Sequence, residues 1–194
     1  MRRTIPLIGV LVAAVLLSSC TLVPTMSKPV VIPHSQVGPG LGLNDKSIPG
    51  TNNARVRFVT QAVYIVDTTG HLTPSSRIVA SPPTLYSVLR VLVLGPTEIE
   101  KSAGYSSQLP KNFVIVAANI KKKIGYVNIA VPLSGLSAHQ QVLAAGQLTL
   151  TAQAVGATRG IEILVGGVVQ NTLLPNGTTR RIVNPQDFAA LMNP

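Results

Sequence analysis

"SPPTLYSVLRVLVLGPTEIE", residues 81–100, holds two prolines, an apolar run and a Gly-Pro stop within one short stretch. Pro82 and Pro83 cannot continue a strand, and they suit the entry to a helix. From Thr84 to Leu94, the residues Leu85, Val88, Leu89 and Leu92 recur at helical spacing and give one apolar face. Gly95 and Pro96 end that helix. Thr97 followed by Glu100 has capping-box spacing, with a hydroxyl for an orphan N–H and a carboxylate reaching back, so a second short helical turn follows.

Strand-like sequence lies on both sides. Upstream, "RVRFVTQAVYIVDTTGHL" (55–72) is rich in β-branched and aromatic residues, turns at Asp67 to Gly70, and leads into a strand from Leu72 to Ala80. Downstream, Gly104 and Pro110 bound a loop. "NFVIVAANIKKKIGYVNIAV" (112–131) then reads as a hairpin joined near Lys122 to Gly125. Ser137 and Gln140 repeat the cap spacing before "AHQQVLAAGQLTLTAQAVG" (138–156), a longer helix. Its Val142, Leu143, Gly146 and Leu150 are expected to face the sheet, with Gly146 permitting close approach. Gly156 and Gly160 bracket its exit. Ile161, Ile163 and Val165 alternate in a further strand that ends at Gly166-Gly167. Residues 168–192 read as an edge strand or two and a short terminal helical segment. This order predicts an α/β (α+β) fold, a small mixed sheet with two main helices on one face.

The start of the chain, "MRRTIPLIGVLVAAVLLSSC" (1–20), has a basic pair, then 13 apolar or small residues from Ile5 to Leu17. As a helix that core spans about 20 Å, short of the roughly 20 residues a bilayer crossing needs. It reads as a signal-peptide core. Leu17, Ser18, Ser19 and Cys20 look like a bacterial lipobox. That resemblance implies lipidation of the Cys20 thiol, cleavage before it, acylation with a fatty acid such as palmitate, and a place on the outer face of the plasma membrane. Residues 1–19 are then the leader and 20–54 a lipidated cysteine with a tether. Pro24, Pro29, Pro33, Pro39 and Pro49 recur in that tether among Gly38, Gly40, Gly42 and Gly50. The domain occupies 55–194.

Removing the leader lowers the formal charge from +10 to +8, because Arg2 and Arg3 leave with it. Cys20 is the only cysteine, so no disulfide supports the exported domain. A basic protein is drawn to anionic lipids and wall polymers. Export argues against nucleic acid, and Tyr64, Tyr105 and Tyr126 are not interleaved with basic residues as a stacking platform requires. Lys121-Lys122-Lys123 is the strongest cationic cluster and a candidate contact for an anionic lipid, polymer or acidic partner, with Arg180-Arg181 second. As the tip of a hairpin, the three lysines equally suit plain solvation.

Chemistry is sparse. The acids are Asp45, Asp67, Glu98, Glu100, Glu162 and Asp187. Glu98 and Glu100 are too local to straddle a bond, and Asp67 with Glu162 is only a speculative glycosidase pair. His34, His71 and His139 show no HxxxH or HExxH spacing, and a His71–Asp67 metal site would be fortuitous. No serine stands in GxSxG. "GATRG" and "LVGGV" lack phosphate-loop order, and "NGT" at 176–178 reads as a turn. No catalytic residue, metal or cofactor is assigned.

The ordered pieces "VYIVDTTGHLTPSSRIV" (63–79), "LRVLVLGPTEIEKSAGYSSQLP" (89–110), "VNIAVPLSGLS" (127–137), "QVLAAGQLTLTAQAVGATRGIEILVGG" (141–167) and "LPNG" (174–177) resemble the GerMN domain of sporulation and spore-germination proteins. The specific landmarks are Leu94-Gly95-Pro96-Thr97, Leu109-Pro110, Gln147-Leu148 and Gly166-Gly167. The resemblance implies a compact, usually non-catalytic α/β module that assembles with other envelope proteins, in a lipoprotein of actinobacterial look. Two departures stand out. The family often has Val-Asp-Leu where this chain has Val127-Asn128-Ile129, and Val-Asp-Gly where it has Val165-Gly166-Gly167. The leading expectation is a lipid-anchored scaffold that engages an envelope protein. Binding of peptidoglycan or anionic wall polymer through a basic face is the alternative, and a wall hydrolase comes third.

Overall fold

A computed structural model describes residues 56–192. The expected leader, the lipobox with Cys20, the tether to residue 54, Asp45 and His34 lie outside those residues. Strand β1 (Phe58–Val66) and β2 (Leu72–Ala80) form an antiparallel hairpin. Helix α1 (Leu85–Val93) and the one-turn α2 (Glu98–Ser102) follow, then β3 (Ile115–Lys121) and β4 (Ile124–Ile129). Helix α3 (Ala138–Ala154) leads to β5 (Ile161–Val165) and β6 (Val168–Val169). Short pairs β7 (Thr172–Leu173), β8 (Thr179–Arg180) and β9 (Ile182–Val183) precede a 3-10 segment, Pro185–Leu191.

The strands do not make one sheet. A five-stranded mixed sheet has the order β3-β4-β5-β6, with β9 also on β5, while β1-β2 and β7-β8 are separate ladders. β4 and β5 are parallel, with α3 as their crossover, as such a connection requires. Gly125, Val127, Ile129, Ile161 and Ile163 turn the buried face of this sheet toward the helices. The expected mixed α/β fold, with helices on one face of a small sheet, is what the chain adopts.

The starts of α1, α2 and α3 all hold side-chain caps. Thr97–Glu100 and Ser137–Gln140 form the reciprocal boxes expected from their spacing. Thr84 forms one with Ser87 in α1, where a serine replaces the usual Glu or Gln and hides the signal. Leu85, Val88, Leu89 and Leu92 are buried, as the apolar stripe predicts.

Helix α3 differs from expectation. Val142 to Ala152 are all buried, not only the stripe of Val142, Leu143, Gly146 and Leu150. The helix packs against α1, β1, β7 and the terminal 3-10 segment, so it is enclosed rather than laid on a surface. Gly146 does permit close approach, but to the hairpin and the C-terminal segment. A Cβ there would lie 2.5 Å from Leu72 Cδ1 and 3.1 Å from Phe188 Cδ1.

Candidate functional site

Enclosing α3 leaves polar side chains inside the protein, and each has a partner. Tyr64 on β1 lies opposite Pro74 at a non-hydrogen-bonded position of the ladder, so both backbone groups of Tyr64 face away from β2 and turn to α3. Its N–H donates to Thr151 Oγ1 (3.0 Å), and its carbonyl accepts from Gln147 Nε2 (2.9 Å). Gln147, fully buried, also accepts through Oε1 from the Gln108 N–H at 2.8 Å. Two residues further along β1, Val66 exchanges backbone bonds with Ser106 at 2.9 and 2.7 Å. This stretch of strand edge is therefore closed by α3 and the 106–108 loop. Gln147 and Leu148, read from sequence as a family landmark, are fully buried interior residues.

The other landmarks are joints. Gly95 (φ 76) turns α1 into α2, and Thr97 caps α2. Arg77 Nη2 reaches Glu100 Oε2 at 2.7 Å and the Gly95 carbonyl at 3.3 Å, tying β2 to this joint. Ser75 donates to the same carboxylate, and the Thr97 N–H donates to it at 2.6 Å. Burial pushes the Glu100 pKa up, but Arg77, Ser75 and Thr97 together bring it down to about 2. Nothing in the local sequence marks Arg77 as this partner. Leu109 packs on the core, and the Pro110 carbonyl accepts from Phe113 at 2.9 Å. Leu94 is 79% exposed and lines a shallow groove of about 300 Å3 along α1 with Tyr86, Ser87, Arg90 and Val91.

Gly166 (φ 57) and Gly167 (φ 84) form the two-residue turn between β5 and β6. Asn128 Oδ1 accepts from the Gly167 N–H at 3.1 Å, so the two departures from the family pattern meet at one turn. The amide satisfies that N–H without adding charge.

The candidate acids are not gathered. Asp67 accepts from Thr69 Oγ1 (2.7 Å) and from the Thr69 and His71 N–H groups (2.8 and 2.9 Å). The Thr69 hydroxyl, then these backbone donors, lower its pKa to about 2 against the opposing effect of desolvation. His71 Nδ1 sits 2.7 Å from Thr69 Oγ1. Glu162 is held by Arg181 at 3.2 Å, Glu98 by Lys101 at 2.7 Å, and Asp187 by Arg180 at 3.1 Å. Each described carboxylate has a local partner. Asp67 and Glu162 serve different turns and strands. Among the described residues, no group of three or more His, Cys, Asp or Glu could hold a metal ion. Asn176 accepts from Thr178 within the β7–β8 turn.

A small cavity of about 50 Å3 lies past the carboxyl ends of β4 and β5 beside Leu133, Gln141 and Thr172. That is room for a few waters, far below the roughly 300 Å3 of a typical ligand pocket. Lys121, Lys122 and Lys123 are exposed at the β3–β4 tip, as the hairpin reading places them. Among the described residues, no helix is long and apolar enough to cross a membrane.

These features define a small α/β module whose described carboxylates are each tied to a local partner. The model of the Germane family, described as sporulation and spore germination, matches residues 62–171, and the chain belongs to that family. Its fold is similar to the solved tandem GerMN domains of the sporulation protein GerM from Bacillus subtilis, with a TM-score of 0.53 and 13% identity over 68% of this chain. The chain spans 48% of that two-domain structure. The first GerMN domain of the same protein, solved alone, gives a TM-score of 0.50 and 13% identity, covering 66% of this chain and 98% of that one. Among curated proteins none matches.

Proposed function

We propose that the chain is a non-catalytic, lipid-anchored scaffold on the outer face of the bacterial plasma membrane, where its domain engages another envelope protein. The observation that carries this reading is the commitment of every described carboxylate to a local structural partner in a domain of the Germane family. Acid–base chemistry needs a titratable group free to face a substrate in a cleft, and the described carboxylates are employed elsewhere. The solved structures matched are GerMN domains of one sporulation protein, and its tandem use of the module suits an assembly role. The lipobox at Leu17 to Cys20 supplies the location.

Two experiments separate location from partner. Metabolic labelling with an alkyne fatty acid should mark the parent protein and not Cys20→Ser; equal labelling of both removes the anchor. For the partner, a photo-crosslinking residue is placed in living cells at exposed Phe58, Ile78, Leu94 or Val116. A discrete adduct with one protein from one of these faces is expected. If no position yields an adduct above that of an unrelated lipoprotein, the scaffold reading falls.

A further inference from the structure

We propose that the β3–β4 tip docks on the anionic headgroups of the membrane that carries the chain, an inference that rests on the lipid-anchor reading of Cys20. Four cationic residues meet at this end of the sheet. Lys121 closes β3, Lys122 and Lys123 form the two-residue turn, and the Arg159 N–H donates to the Lys123 carbonyl at 2.9 Å. That bond brings a fourth cation from the loop between α3 and β5. All four residues are exposed, and none forms an ion pair with a described carboxylate. Glu162, the acid on the neighbouring β5, is already held by Arg181.

The turn carries a second, independent sign. Lys122 (φ 50) and Lys123 (φ 64) both occupy the left-handed region, where a two-residue hairpin ordinarily places Asn-Gly or Gly-Gly. The same sheet shows the ordinary solution at its β5–β6 turn, where Gly166 and Gly167 take the same geometry. Lysine there is strained by its Cβ, and both lysines are exposed. Strain kept at an exposed charged tip points to a ligand outside the fold.

The tether selects the ligand. Residues 21–55 number 35 and reach at most about 120 Å when extended, so the anchor confines the domain to that distance from lipid phosphate and raises its effective concentration at the leaflet. Each Lys or Arg adds a small attraction to an anionic leaflet, screened beyond about 10 Å at ordinary salt. Four together suffice to orient a domain already held at the surface.

The test takes the chain as isolated from the bacterial envelope and mixes it with vesicles of phosphatidylcholine alone or with phosphatidylglycerol. Amine acylation at each lysine is followed by mass spectrometry. Flotation with neutral vesicles reads the anchor by itself. The expected result is flotation with both lipids, and acylation of Lys121–Lys123 slowed roughly threefold relative to Lys101 and Lys111 on anionic vesicles alone. Salt at about 0.5 M should erase the slowing. Equal rates on the two lipids overturn the docking and leave the anchor standing. Flotation with anionic vesicles only, with the slowing present, removes the anchor and keeps the tip. Slowing by soluble polyglycerol phosphate at lower phosphate concentration than by vesicles assigns the tip to a wall polymer and overturns the membrane proposal.

Discussion

Helix α3 and the β3–β4 tip treat polar groups in opposite ways. Inside, Gln147 and Thr151 hold both backbone groups of Tyr64, and no described buried side-chain N or O lacks a partner. At the tip, cations stand without a described acidic partner on a strained turn. An unpaired polar group in the interior costs about 1–3 kcal/mol, whereas at the surface water takes the partner's place. The interior can therefore carry polar side chains only as a closed set. The surface can carry charge that the fold does not use.

The largest loss is expected inside, from Gln147→Leu. It strands the Tyr64 carbonyl and the Gln108 N–H beside an apolar side chain in a part-buried site, and urea denaturation should show a loss of about 3 kcal/mol. A loss under about 1 kcal/mol would mean that the clamp on β1 is incidental. Gly146→Ala should cost about 2 kcal/mol, because its Cβ meets Leu72 and Phe188 and the enclosed helix must shift. Thermal melting checks this, and an unchanged midpoint would show that the hairpin yields freely.

Glu100→Gln moves the comparison to the half-buried joint. Glu100 and Asp67 both have folded pKa values lowered to about 2 from ordinary values of 4.5 and 3.8. Their stabilisation is present at neutral pH and drains away as pH falls from about 4.5 toward 2. Acid unfolding followed by circular dichroism should therefore be shallower in Glu100→Gln, with Asp67 left to titrate. An identical acid profile would mean that the Arg77–Glu100 bond adds nothing to stability. The smallest effect has the opposite sign: Lys122→Asn with Lys123→Gly should stabilise the domain by about 1 kcal/mol in the same denaturation assay. Destabilisation would show that the lysines are held by the fold after all.

Much of the architecture was legible. Helix starts showed in Thr97–Glu100 and Ser137–Gln140, the α1 stripe in Leu85 to Leu92, and the hairpin near Lys122 to Gly125, although the turn is only Lys122-Lys123 and Gly125 lies within β4. What misled was α3. Its apolar residues invite a one-sided reading, yet Gln147, Thr149 and Thr151 are fully buried beside them. A polar residue on a helix looks like a solvent face until its partner is known, and the partners of Gln147 and Thr151 come from β1 and the 106–108 loop. The strand pattern likewise suggested a single sheet, because period-two alternation identifies a strand without naming its neighbour.

The amino-acid order alone determined the kinds of element, their caps and turns, the cationic tip and the family landmarks, since each depends on residues within a few positions of one another. Only the tertiary structure decided which groups meet. Tyr64 and Thr151 are 87 residues apart, Asn128 and Gly167 39 apart, and Arg77 and Glu100 23 apart. Periodicity and capping carry no information over such separations. Those pairs exist because the packing of apolar surface brings their backbones together, and the polar groups that lose water there bond to what is beside them.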